Sequence, residues 1–267
     1  REPYLSMVSH SGVSGVHVWV DLWANSRNQA IPELNGADAD KRIQRLSDEA
    51  EALARHGLDF YLCIMTSAIP SDHPAFLADP ARRGAPYRDS VGMERQHVLC
   101  SSHEAVRAAH EQALEYVFRN VPKAAGALFI VGGEGYMHCH SRPYGRFEGT
   151  SSCPRCAVLD PSTAVAEWIN HAAAAVKRTG DRKIVFAWPY SAFTWSGKDR
   201  AQVRWIERLS DDVRVLSNFD TGSPDPQNGA GVYFYDYNIK SVGPTETFRQ
   251  QTAALARRGR KIFAKVE

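Results

Sequence analysis

Nowhere in the 267 residues does an apolar run approach the roughly 20 residues that a helix needs to cross a bilayer, so no membrane partner is expected. Charge of one sign is equally scarce. Against 32 Lys and Arg stand 30 Asp and Glu, and the net of +2 is too small to build the basic face that nucleic acid requires. Phosphate-binding signatures are missing too: there is no Walker-type loop, and Gly132-Gly133-Glu134-Gly135 lacks the spacing of a dinucleotide fingerprint. The absence of a GxSxG elbow removes the serine-hydrolase reading. No segment is low in complexity, and no short repeat recurs. Position 1 is Arg rather than Met, and no signal-peptide pattern follows it. The expectation is therefore a piece of a longer protein carrying further domains, its compartment left open.

What is present is ordinary for a globular protein, with 43% hydrophobic and 23% charged residues. One domain over residues 1–267 is expected, large enough to bury a core. Strand-like runs rich in β-branched and aromatic residues fall at 16–23 (VHVWVDLW), 60–66 (FYLCIMT), 127–131 (ALFIV), 183–188, 213–217 and 261–266. Helical stripes alternate with them at 41–56, from Ser101 or Ser102 to 120, 162–179, 199–209 and 245–258. Residues 4–9 read as a further strand, and 67–97 as a loop too long to be a simple connector.

Strict alternation without a composition break predicts an α/β fold with a parallel sheet. A doubly wound sheet is compatible with the strand count. A (β/α)8 TIM barrel, truncated at one or both ends, fits better, because polar or aromatic residues stand at many strand tips: Asp21 and Trp23, Glu134, Trp188 and Tyr190, Asn218 and Asp220, and Glu267. A doubly wound sheet gathers its site at one switch point, whereas a barrel draws on many strand ends.

Glu134 follows an apolar run and sits among glycines that leave room for a ligand. That placement suits a general acid whose pocket raises its pKa. The plainer account is a carboxylate paired with an arginine such as Arg142. Glycoside hydrolysis needs a second carboxyl, or a substrate amide in its place. Glu267 lies two strands beyond the strand following Glu134's own, so both would face one barrel pocket. Asp236, in the segment Tyr233-Phe234-Tyr235-Asp236-Tyr237, is the rival. Asp21, Trp23, His138, Trp188, Tyr190, Asp220, Tyr235 and Tyr237 are candidate substrate-binding residues, since flat aromatic faces match the C–H side of a pyranose. Trp19 is expected in the core.

Of five cysteines, Cys63 lies within an apolar strand and reads as a buried hydrophobe. Cys153-Pro-Arg-Cys156 has the form of a metal knuckle, with Cys139 and Cys100 expected nearby at the same end of the barrel. Four thiolates, or three with His138 or His140, would make a structural zinc site. Disulfides or free thiols stand as alternatives. No cofactor is expected for catalysis itself.

The segments VHVWVDLW, Ile31-Pro32-Glu33-Leu34 and LFIVGGEG resemble the catalytic barrel of family 20 glycoside hydrolases. LCSSHEAV, GGEGYMHCHSR, CPRC, SVGP and KIFAKVE are similar to a divergent bacterial branch of that type. The resemblance implies a barrel, a carbohydrate substrate and Glu134 as the acid, with a β-N-acetylhexosaminidase-like activity. That family carries Asp-Glu where this chain has Glu134-Gly135, so the partner function would fall to Glu267 or Asp236. Two other classes of function are a non-catalytic carbohydrate-binding barrel module and a metal-dependent hydrolase using the His/Cys cluster.

Overall fold

The computed structural model describes residues 2–87, 96–132, 136–141, 151–190, 202–219 and 244–266. In chain order its first elements are α1 (Glu2–His10), β1 (Gly15–Asp21), α2 (Ala39–Arg55), β2 (Asp59–Met65), β3 (Ile69–Pro70), α3 (Pro74–Ala78), β4 (Arg83–Tyr87) and β5 (Gln96–Leu99). There follow α4 (Glu104–Asn120), β6 (Ala124–Ile130), α5 (Pro161–Lys177), β7 (Ile184–Trp188), α6 (Val203–Ile206), β8 (Val213–Asn218), α7 (Glu246–Ala256) and β9 (Ile262–Lys265).

Six of these strands form one parallel sheet in the order β1-β2-β6-β7-β8-β9. The order never doubles back, so the sheet winds as a barrel does and has no switch point among the described residues. The remaining three strands, β3-β5-β4, make a small antiparallel ribbon inserted between β2 and α4.

Strand alternation divides the parallel sheet into two faces. Phe60, Leu62, Ile64, Ala127, Phe129, Val185, Ala187, Val213 and Val215 pack outward into the main core. There they meet Val106, Leu114, Val117 and Phe118 of α4 and Val165, Trp168, Ile169 and Val176 of α5. The opposite, inner face gathers Cys63, Leu128, Ile130 and Trp188, with Phe186, Tyr190 and Leu216 against them. Because both faces of β2 and β6 are covered, their sequences are nearly continuous in apolar residues. Gly126 has a specific reason to be glycine. A Cβ there would stand 1.8 Å from the carbonyl oxygen of Ile184 on the neighbouring strand.

Three local expectations need correction. Residues 4–9 lie in helix α1, not a strand, because Leu5 and Val8, three apart, both reach the main core. Neither Ser101 nor Ser102 caps α4: the N-cap is His103, without a side-chain cap bond, while the Ser102 hydroxyl lies 3.1 Å from Cys100 Sγ. Trp19, expected in the core, is 49% exposed, since its position in β1 puts it on the inner face in register with Cys63. The long 67–97 segment owes its length to the ribbon, whose strands are too short and too rich in Pro and Arg to announce themselves.

Candidate active site and cysteine cluster

Trp188, the last residue of β7, lies on the inner face at the C-terminal edge of the sheet, and three neighbouring groups fix its ring. Its indole N–H donates to Asn218 Oδ1 at 2.5 Å. The Lys265 ammonium lies 4.7 Å from its ring centroid, and Tyr190 meets it edge-on at 4.9 Å. Asn218 and Lys265 are themselves register partners at the tips of β8 and β9. Tyr190 holds a left-handed backbone at φ 32°, a conformation that costs energy in a non-glycine residue. Asn218 was noted only as a strand-tip residue, and Lys265 escaped notice in the sequence. The signal for Lys265 was its alternation with Phe263 on a half-buried strand.

The loop after β6 begins from a fixed point. Val131 N–H donates to Trp188 O at 2.9 Å, which carries the β6–β7 pairing one residue further. The Val131 carbonyl then accepts from His138 Nε2 at 2.8 Å, and His138 Nδ1 accepts from the His140 backbone N–H at 3.2 Å. Those two bonds leave one consistent tautomer, with the proton on Nε2. Burial, with the neighbouring His140 ring adding to it, pushes the His138 pKa down to about 3, so the ring is neutral. Val131 and His138, which flank Glu134 in the sequence, are thus bonded directly to each other.

Asp21 at the tip of β1 is engaged locally. Its Oδ1 accepts from Ala24 N–H at 2.9 Å and its Oδ2 from the Ser67 hydroxyl at 2.5 Å. Trp23, two residues on, is buried in the main core with its ring 4.7 Å from His110. Glu134, Asp220, Tyr235, Asp236, Tyr237 and Glu267 lie outside the described residues.

Cys100, just past β5, meets Cys139, Cys153 and Cys156 in one buried cluster, with all four Sγ atoms within 4.8 Å of one another. Cys100 Sγ stands 3.7 Å from both Cys153 Sγ and Cys156 Sγ. All five cysteines are free thiols, and Cys63 lies apart on the inner face. Hydrogen bonds from the other three thiols hold Cys100 well below the ordinary thiol pKa, while the bond to Cys100 pushes Cys139 up. Four such groups cannot all ionise in one buried space without a cation between them. The arrangement is compatible with a metal ion.

No protein-family model matches the sequence, and no curated protein is significantly similar to it. Among solved structures, a broad-specificity family 5 endoglucanase from Bacteroides salanitronis has a TM-score of 0.52 at 12% identity, over 100% of this chain and 65% of that one. The tandem family 20 catalytic modules of the pneumococcal exo-β-D-N-acetylglucosaminidase StrH give 0.52 at 11%, over 85% and 57%. A family 138 glycoside hydrolase targeting pectin rhamnogalacturonan II gives 0.51 at 9%, over 85% and 23%. The chain thus spans less than two thirds of each of these proteins. At such identities the likeness establishes the TIM-barrel fold, which many chemistries share.

Proposed function

We propose that this chain is a catalytic portion of a glycoside hydrolase, with Glu134 as the general acid. The observation that carries the reading is the Trp188 cluster. An indole face, a tyrosine edge, an amide and an ammonium converge at the C-terminal edge of a barrel sheet, beside the start of the loop that bears Glu134. Aromatic faces with a few placed polar groups suit sugar rings. The distant likeness to glycosidase barrels agrees with this but does not decide the chemistry.

In this proposal Glu267 or Asp236 supplies the second carboxyl function. Trp188 and Tyr190, with Asp220, Tyr235 and Tyr237, line the sugar pocket. Asp21, Trp23 and His138 shape it from behind, through the bonds and packing that tie down their own loops. The cysteine cluster supports a structural role rather than a metal-dependent hydrolase, since four thiolates leave no open position for substrate or water.

The test is hydrolysis of a panel of aryl glycosides, N-acetylhexosaminides and plain hexosides, by the parent protein and Glu134→Gln. Turnover that falls by about 100-fold or more in the variant, within the range of a lost general acid, supports the proposal. Turnover that survives the substitution assigns the acid to another carboxylate. A folded protein that cleaves nothing yet binds oligosaccharide would be a carbohydrate-binding module.

A further inference from the structure

We infer that Cys100, Cys139, Cys153 and Cys156 bind one zinc ion in a closed tetrahedral site, which latches the β3–β5 ribbon to the connection between β6 and α5. Geometry is the first support. A zinc–sulfur bond of about 2.3 Å in a tetrahedron sets sulfur–sulfur edges of about 3.8 Å. Cys100 Sγ makes two such edges of 3.7 Å, to Cys153 and Cys156. Disulfide bonding would need about 2.05 Å and could join the four only in pairs.

The surroundings are built for sulfur carrying negative charge. Zinc with four thiolates has a net charge of −2, so the site needs donors and cations around it. Arg155, inside the knuckle between two of the ligands, donates to the Ala81 and Arg83 carbonyls, which holds a positive charge beside the cluster. Ser102 Oγ lies 3.1 Å from Cys100 Sγ and 3.5 Å from Cys156 Sγ. The Cys156 backbone N–H donates to the Cys153 carbonyl at 3.1 Å, which closes the turn that carries both sulfurs. Ser151 ties the turn down by donating to the Cys139 carbonyl at 2.8 Å.

Placement gives the site its role. Cys100 belongs to the ribbon, and the other three ligands belong to the β6–α5 connection. Gly84 on β4 abuts the cluster so closely that a Cβ there would stand 2.7 Å from Cys139 Sγ. Among the described residues the ribbon contributes Leu99 and Ile69 to the main core, sets Arg83 and His97 against Phe76 of α3, and packs on the cysteines through Ala85 and Val98. Soft thiolate ligands in a closed tetrahedral set of four suit zinc and leave no open position for catalysis at the ion.

The experiment is metal analysis of the parent protein purified without chelator or added metal, combined with thiol titration and hydrogen exchange. Expected are about one zinc per chain, surviving dialysis, and four thiols that react only after a mercurial releases the ion. Cobalt exchanged into the site should show the thiolate charge-transfer and visible bands of a tetrahedral S4 centre. Cys63→Ser should keep the zinc, and Cys156→Ser should lose it. Releasing the zinc from parent protein should speed amide exchange in β4 and β5 while β6 and β7 stay protected, which does not depend on the variant folding. Zinc-free protein with four reactive thiols, two disulfides, or iron in place of zinc would each overturn the assignment. Unchanged ribbon exchange after release would overturn the latch. None of these readouts depends on whether Glu134 is the acid.

Discussion

Replacing Gly84 by alanine tests how tightly the ribbon is built onto the cysteine cluster. An ideal Cβ at this position meets Cys139 Sγ and the Val98 carbonyl oxygen at 2.7 Å each, and the Cys100 nitrogen at 3.0 Å. Ordinary carbon contacts begin near 3.5 Å, so the new methyl overlaps its three neighbours by about 0.5 to 0.8 Å. Two of the three are backbone atoms at or just past β5 and cannot swing aside. Either β4 lifts away from β5 or the Cys139 sulfur moves, and metal sites tolerate only about 0.2 Å of ligand error. Overpacking of this kind costs about 1–3 kcal/mol. If the cost falls on the metal-bound state, zinc affinity drops about 5- to 140-fold, at a factor of ten per 1.4 kcal/mol. Competition against a chromogenic chelator reads this directly, with thermal midpoints measured in parallel. Gly180→Ala is the control, because its nearest contact is the flexible Lys183 Cε at 3.5 Å. A Gly84→Ala protein that matches the parent in both affinity and midpoint would refute the packing described for β4.

Other outcomes follow from named groups. Burial pushes the pKa of His110 down to about 4, against about 6.5 in the unfolded chain, so the unfolded state takes its proton first. Stability is therefore lost as pH falls from 6.5 to 4, by up to about 3 kcal/mol for this one group. His110→Leu should flatten that acid limb in urea titrations, and parallel curves for variant and parent would count against it. Asp160 caps α5 by accepting from Thr163 N–H at 3.0 Å and from the Thr163 hydroxyl at 2.7 Å. Asp160→Ala should cost about 1 kcal/mol at neutral pH. Because these bonds and Arg204 hold the Asp160 carboxyl below its ordinary pKa, its contribution is present above the unfolded pKa and fades as pH falls through the folded value. The difference between parent and variant should shrink accordingly in acid.

The sheet was legible where sequence and burial repeat the same rule. Residues 60–66 and 127–131 are almost continuously apolar because both faces of β2 and β6 are covered, and α4 and α5 show clear stripes because one side of each faces the sheet. The cysteine cluster was legible for a different reason: CxxC is a local pattern, and the barrel's common edge brings distant loops together. The ribbon was not legible, since β4 and β5 pack on the cluster through Ala85 and Val98 rather than declaring themselves by strand propensity. Residues 4–9 misled because a short Leu-Ser-Met-Val run fits a strand or a helix equally, and only its neighbours decide. Trp19 and Trp23 could not be told apart by type; strand phase exposes the first, and the turn after Asp21 buries the second.

The monotonic strand order also carries a consequence for how the molecule is made. Each parallel strand pairs with the parallel strand that precedes it in the chain, so the sheet can grow in the direction of synthesis, one βα unit at a time. Among the described residues, no strand of the parallel sheet must wait for a distant one to be inserted beside it. The thiols break this schedule, because Cys100 and Cys153 are 53 residues apart and lie on either side of α4 and β6. Pairing of β6 with β2 brings Cys100 towards the other three, so closure of the cluster is expected to follow formation of that stretch of sheet. Thiol protection in a refolding or translating chain thus becomes a timestamp for docking of the third strand.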